Sequence, residues 1–298
     1  MKNIIKTALI MSIILTMTGF GKETLNKNAG AKENGEKTAE KSVLADLPPV
    51  IHGLGWIDGY YVTNSFEAFK YNYKRGFRVF EVDLNMTSDN YLVARHDWTL
   101  VHYGWLGQNV PAGTMDEDPL TFDQVMSLKI HGQYHPVSWK QLLKLMRKYP
   151  DIYFVTDTKE TDEEAIRKTF SYLVRETKKV DPKLLDRIIP QIYSQPMLSY
   201  INSYHRFKYI IYTLYKHTND NIPTPKELAE FCVSHHVTAV NGLPFRLTVE
   251  LQETLHENNI IIYTHTINKP KDAAAYLEKG IGIYTDYLYY DGKKFIAP

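Results

Sequence analysis

Cysteine is almost missing from this chain: Cys232 is the single one in 298 residues. One thiol cannot close an internal disulfide or build a thiolate zinc cluster, so the residue reads as an ordinary packed helix position. A surplus of charge of one sign is missing too. The 35 Lys and Arg residues face 34 Asp and Glu, for a formal net charge of +1. The basic residues are scattered, which leaves no electrostatic case for a nucleic-acid partner. A Gly-rich phosphate loop is lacking, because Gly53-Leu54-Gly55 is not followed by the rest of the dinucleotide pattern. A Gly-x-Ser-x-Gly nucleophile turn is lacking as well. What the chain has in quantity is tyrosine, 22 residues, an amphipathic side chain that suits clefts for partly apolar substrates and also plain packing.

Long hydrophobic runs are absent. The apolar run Ala8 to Met17 follows Lys2 and Lys6 and precedes Thr18-Gly19-Phe20-Gly21. It is too short for a comfortable membrane span and has the order of an export signal over residues 1–21. Met17-Thr18-Gly19-Phe20 has the form of a bacterial lipobox with Phe where Cys is required, so the chain as written cannot be lipidated there. Residues 22–45 are mostly Lys, Glu, Asn, Gly and Ala and read as a disordered linker. The folded domain is expected over residues 46–298. Together these features predict an exported protein, secreted or held at a bacterial cell surface, whose N-terminus could associate with membrane or cell wall.

From Pro48 onward strand patterns alternate with helix patterns. Strands are expected at 50–52, 78–84, 152–157, 188–193, 209–215, 238–241, 260–266 and 282–286. Helices are expected at 65–75, 138–148, 161–178, 196–204, 225–234, 247–257 and 271–279. Eight strands with intervening helices predict an α/β fold, a closed (β/α)8 TIM barrel, with an extra hairpin strand at 92–96 returning from the second. An open doubly wound sheet is the alternative.

Phe80-Glu81-Val82-Asp83-Leu84 carries the strongest chemical signal. On a strand Glu81 and Asp83 leave one face while Phe80, Val82 and Leu84 pack on the other. Thr87-Ser88-Asp89-Asn90 is a turn, and the returning strand brings His96 back opposite Asp83. Two carboxylates and an imidazole at one point are the makings of a divalent-metal site with an acid/base beside it. In a barrel, chemistry sits at the carboxyl ends of the strands. The polar residues expected there are His52, Glu81, Asp83, Asp157, Gln191, Tyr193, Asn241, His265 and Asp286. Trp98 to Asp118 is long for a barrel loop and reads equally as a packed cover or a substrate-binding lid.

These residues, in this order, resemble the glycerophosphodiester phosphodiesterase family, within the phosphatidylinositol-phospholipase-C-like barrels. The likeness runs from about Pro49 to the C-terminus. The family's opening His-Arg-Gly is here His52-Gly53-Leu54. Its Glu-x-Asp, Thr-x-Asp-Gly and His-Asp stand as Glu81-Val82-Asp83, Thr87-Ser88-Asp89-Asn90 and His96-Asp97. Its Glu-x-Lys is Asp157-Thr158-Lys159, and its Thr-Asp is Thr285-Asp286. The resemblance implies that His52 and His96 are the catalytic acid/base pair. It implies that Glu81, Asp83 and Asp157 hold one divalent cation, Ca or Mg, and that Lys159 neutralises phosphate charge. Gln191, Tyr193, Asn241 and His265 are then expected to bind substrate.

The implied route uses a neighbouring substrate hydroxyl as nucleophile, giving a cyclic phosphate that water then opens. Candidate substrates are glycerophosphodiesters, lysophospholipid headgroups and glycerol-phosphate wall polymers. Three residues depart from the family pattern: Gly53 replaces an arginine, Asp157 is one methylene shorter than Glu, and His265 stands where an aromatic is common. The competing readings are a phosphatidylinositol-specific phospholipase C and a weakly catalytic barrel that binds a surface glycopolymer.

Overall fold

The computed structural model describes residues 42–298. The expected export signal and most of the expected linker lie outside the described residues. The strands are β1 (Val50–Ile51), β2 (Val79–Met86), β3 (Leu92–Ala94), β4 (Tyr153–Asp157), β5 (Ile188–Ile192), β6 (Ile211–Thr213), β7 (Ala239–Gly242), β8 (Ile261–Thr264), β9 (Ile281–Thr285), β10 (Tyr289–Tyr290) and β11 (Phe295–Ile296). Strand β1 pairs in parallel with both β2 and β9, and the order β2-β4-β5-β6-β7-β8-β9 closes the ring. Strand β3 pairs antiparallel with β2 outside that ring. This is a (β/α)8 barrel with the extra hairpin strand, and the open-sheet alternative is excluded by the closure.

Seven helices fill the crossovers between ring strands: α1 (Phe66–Arg75), α4 (Trp139–Lys148), α5 (Glu163–Val180), α6 (Gln195–Asn202), α7 (Pro225–His235), α8 (Val249–Glu257) and α9 (Pro270–Glu278). Their starts are set by local chemistry. Ser65 accepts from the Ala68 amide, and Ser138/Gln141 and Thr224/Glu227 form reciprocal capping boxes. Two short helices, α2 (Leu100–Trp105) and α3 (Phe122–Ser127), lie in the long segment after β3, where no helix was expected. After β9 the chain makes the β10–β11 hairpin, and Phe295 and Leu288 join Ala273 of α9 in one apolar cluster. Cys232 is buried in α7, as its composition suggested.

The period of two along β2 sorts its residues as expected. Phe80, Val82 and Leu84 enter the outer core between barrel and helices, while Val79 joins the inner cluster. That inner cluster holds Val50, Val79, Val155, Ile189, Ile211, Tyr263, Tyr284 and also Leu44, fully buried. The linker boundary at residue 45 is therefore corrected: residues 43–46 form a turn that seats Leu44 in the barrel floor. The apolar floor leaves the opposite, carboxyl end of the ring for polar groups. Gly282 permits the packing of Tyr263, since a Cβ there would stand 2.4 Å from the ring.

Candidate active site

The carboxyl ends of the strands bring the expected residues together. Asp83 and Asp157 are register partners on neighbouring strands. With Glu81 they offer three carboxylate oxygens within 4.8 Å of one another, all buried. The third carboxylate comes from β4, the parallel neighbour of β2, so the pairing of these two strands produces the trio.

Each member is held differently. Glu81 Oε2 accepts from the Gly53 amide at 2.6 Å, while Oε1 is buried with no hydrogen-bond partner. Burial first, then the Asp83 charge, push the Glu81 carboxyl well above the usual range. Asp83 Oδ2 accepts from Asn64 Nδ2 at 2.8 Å, and Oδ1 pairs with Lys159 Nζ. Burial opposes ionisation of Asp83, but the Lys159 charge, with those of His96 and His52, outweighs it and holds the carboxyl low. Asp157 accepts from Lys159 Nζ at 2.8 Å, from the Tyr215 hydroxyl at 2.9 Å and from the Tyr193 hydroxyl. Lys159 thus spans two of the three carboxylates, and Glu81 keeps the free oxygen.

Both expected histidines carry a carboxylate behind them. His52 Nδ1 bonds Asp286 Oδ1 at 2.8 Å, and Asp286 Oδ2 accepts from Asn268 at 2.5 Å. His52 does not end strand β1; it opens a 3-10 turn over His52–Leu54, which turns its ring across the mouth. Burial alone would lower its pKa, but the Asp286 hydrogen bond and the Glu81 and Asp83 charges raise it to about 9. His96 Nδ1 bonds Asp97 Oδ2 at 2.6 Å, and Asp97 Oδ1 accepts from the Thr99 amide at 2.9 Å. Asp97 therefore both orients His96 and ties down the entry to α2. Donation from each Nδ1 to its carboxylate leaves Nε2 as the nitrogen open to a ligand.

A cavity of about 350 Å³ lies between His52 and His96 and is lined further by Asp286, His102, Tyr61 and Trp105. A smaller, deeper pocket of about 30 Å³ is lined by Glu81, Asp157, Gln191, Asn241, His265 and Tyr215. His265 Nδ1 bonds Asn241 Oδ1 at 2.9 Å, and burial with the nearby His52 charge lowers its pKa to about 4. It is a neutral pocket-wall group. A larger groove of about 870 Å³ near α6 and α7 is lined by neither histidine and by none of the three carboxylates.

Tyr193 is the expected substrate contact that the structure corrects. Its buried hydroxyl accepts from the Thr158 amide at 2.8 Å and the Lys159 amide at 2.9 Å and donates to Asp157. It has no capacity left for a ligand and acts as a support for Asp157. Asn64, Tyr215 and Asn268 were missed. Asn64 and Asn268 come from connecting loops, where no period announces a direction. His102 and Trp105 lie on a helix too short to show one. The segment from Trp98 to Asp118 is both things it could be: Trp98 and Tyr103 pack with Leu120 and Val125, while His102 and Trp105 line the cavity.

A profile of the glycerophosphoryl diester phosphodiesterase family matches residues 57–289. The chain belongs to this family. It is a phosphoric diester hydrolase of the glycerophosphodiester phosphodiesterase kind. No curated protein matches it in sequence. Among solved structures, a candidate glycerophosphoryl diester phosphodiesterase from Silicibacter pomeroyi superposes with a TM-score of 0.67 at 18% identity, covering 81% of this chain and 90% of that one. A glycerophosphodiester phosphodiesterase from Parabacteroides distasonis gives 0.62 at 18% identity, covering 81% and 93%. A phosphodiesterase from Oleispira antarctica, in complex with the product sn-glycerol-3-phosphate, gives 0.64 at 15% identity, covering 80% and 93%. At such identities these neighbours speak to the fold.

For this phosphodiesterase the departure at Gly53 has a structural form. Gly53 sits at φ +55°, and a Cβ there would stand 2.6 Å from Val62. An arginine therefore cannot be restored without moving Val62. The backbone amide at that position is instead used on Glu81.

Proposed function

We propose that the chain hydrolyses glycerophosphodiesters with His52 and His96 as the proton-transfer pair and a divalent cation, Ca or Mg, held by Glu81, Asp83 and Asp157. The observation that carries this reading is a geometric one. Two histidines, each backed by a carboxylate at Nδ1, face one cavity beside three buried carboxylates. The unpartnered Glu81 Oε1, beside two further carboxylates, fits a hard cation and fits little else. Such a cation supplies positive charge against the phosphoryl oxygens, which otherwise repel an attacking hydroxyl.

The chain's own groups supply the rest. His52, kept protonated by Asp286 and the nearby carboxylates, is the proton donor to the leaving alkoxide. His96, oriented by Asp97, takes the proton of the attacking hydroxyl. With a neighbouring substrate hydroxyl as nucleophile, its oxygen bonds to phosphorus and the bond to the leaving alcohol breaks. Water then opens the cyclic phosphate, so the net products are a phosphomonoester and an alcohol. Lys159, between Asp83 and Asp157, adds fixed positive charge at the phosphate, and Gln191, Asn241 and His265 offer polar contacts in the deep pocket. The basic start and short apolar run over residues 1–21 support an exported setting for this activity, secreted or at the cell surface.

The test is steady-state hydrolysis of glycerophosphocholine by His52→Ala, His96→Ala and the double variant. Each single change should cost roughly 100- to 10,000-fold in kcat. The double should cost far less than the product of the singles, because the pair works as a unit. Near-parent rates in both single variants would refute the assignment.

A further inference from the structure

Besides the three carboxylates, one other cluster of ligating side chains stands among the described residues. His96, Asp97 and His102 each bring one ligand atom within 4.8 Å of the others. All three line the cavity between the histidines, and His52 and Asp286 face the same space. The donors differ in kind from those of Glu81, Asp83 and Asp157. Three carboxylate oxygens suit a hard cation, whereas two imidazoles and one carboxylate suit a borderline ion such as zinc.

The cluster is built by one capped turn. Thr99 Oγ1 donates to Asp97 Oδ1 at 2.5 Å and accepts from the His102 amide at 3.2 Å. Asp97 Oδ2 holds His96 Nδ1 at 2.6 Å. The three side chains are thus tied together before any ion arrives, and little freedom remains to be lost on binding. His102 is 7% exposed, and no group among the described residues hydrogen-bonds its ring. That ring lies 5.5 Å from the His96 ring, centroid to centroid, tilted by 38° rather than stacked. Burial, and then the Arg95 charge, lower the His102 pKa to about 4, so the ring is neutral, the form that ligates a metal. The Asp97 and Asp83 charges act on the same ring in the opposite sense to Arg95 and favour a cation there. The proton transfers argued above give this buried imidazole no task.

We infer that His96, Asp97 and His102 form a second metal site beside the proposed carboxylate one, for zinc or a similar borderline divalent ion, whose occupation switches the enzyme off. The switch rests on the phosphodiesterase reading above; the site itself does not. Whichever nitrogen of His96 takes the ion, proton transfer stops. At Nε2 the ion covers the nitrogen open to substrate. At Nδ1 it displaces the hydrogen bond to Asp97 that orients the ring. The two sites answer to different ions. Ca or Mg at the carboxylates supports turnover and zinc at the imidazoles opposes it, so excess Ca or Mg does not relieve the block.

The experiment uses tag-free protein saturated with Mg. Zinc titrated by calorimetry should bind at a site that His102→Asn weakens at least about tenfold, the least that losing even an outer partner of a metal costs. His96→Asn, at a half-buried position, should weaken it as much and serves if His102→Asn does not fold. Glycerophosphocholine hydrolysis at the same Mg should fall with zinc and return when a zinc-selective chelator is added. The zinc concentration that halves the rate should rise at least about tenfold in His102→Asn. Inhibition is read as a ratio within each variant, so a lower basal rate does not imitate the effect. Raising Mg well beyond saturation should leave the inhibition unchanged. Zinc inhibition that excess Mg relieves, or that His102→Asn leaves unaltered, overturns the inference, as does full turnover with zinc bound. No turnover under any condition sinks the phosphodiesterase reading instead. The calorimetry then decides the site alone: zinc binding weakened in the variants supports it, and binding that is absent or unchanged overturns it.

Discussion

Glu81 is where burial and charge oppose each other most sharply. Its carboxyl sits beside two others and away from water, and one oxygen finds no donor. Without a cation its folded-state pKa lies above the unfolded value. The unfolded chain then releases the proton first as pH rises, so this group removes stability with rising pH above the ordinary carboxyl range. Glu81→Gln keeps the shape and removes the charge. In EDTA at pH 7 to 8 it should melt at least about 2 °C above the parent. By calorimetry it should bind Ca or Mg at least about tenfold more weakly, as loss of a charged ligand implies. A variant that melts lower and binds the cation normally contradicts the ligand assignment. The spacing of Glu81 and Asp83 made these two residues legible, because two residues apart on a strand means one face. Asn64 and Asn268 were not legible: a loop asparagine looks the same whether it holds a carboxylate or faces water.

At the scale of elements, the ring strands and seven crossover helices were legible because each has a buried face and a matching period. The ends moved by a residue or two where caps and turns decide, as at His52, which lies on the turn after β1 rather than on it. The two short helices between β3 and α4 were not legible. Helices α2 and α3 have six residues each, too few for a stripe to repeat. The N-terminal turn was missed for a related reason: Leu44 is one apolar residue following a polar run, and composition averages it away. Its burial among Val50, Val79, Ile189 and Ile211 is a packing fact that only the closed ring creates. Leu44→Ala should cost about 2–4 kcal/mol in urea unfolding, and a chain beginning at Asp46 should lose a similar amount. Turnover per folded molecule should not change, because Leu44 lies at the floor, away from the mouth. Unchanged stability in both would mean the floor closes without it.

At the scale of the whole molecule, the barrel separates two tasks. The inner floor is apolar and carries packing, and the opposite mouth gathers His52, Glu81, Asp83, Asp157, Gln191, Asn241, His265 and Asp286 from different parts of the ring. The resemblance read from motifs pointed to this mouth because the motifs sit at strand ends. It could not show that Lys159 bridges Asp83 and Asp157, or that Tyr193 is consumed in holding Asp157. The account as a whole depends on the three carboxylates working through a cation. The most direct measurement is glycerophosphocholine hydrolysis by protein stripped with EDTA and then re-supplied with Ca or Mg. The account predicts loss of at least about 100-fold in kcat/KM on stripping, as expected when several kcal/mol of charge stabilisation is removed, and recovery on addition of the ion. Undiminished turnover by the stripped protein would contradict it.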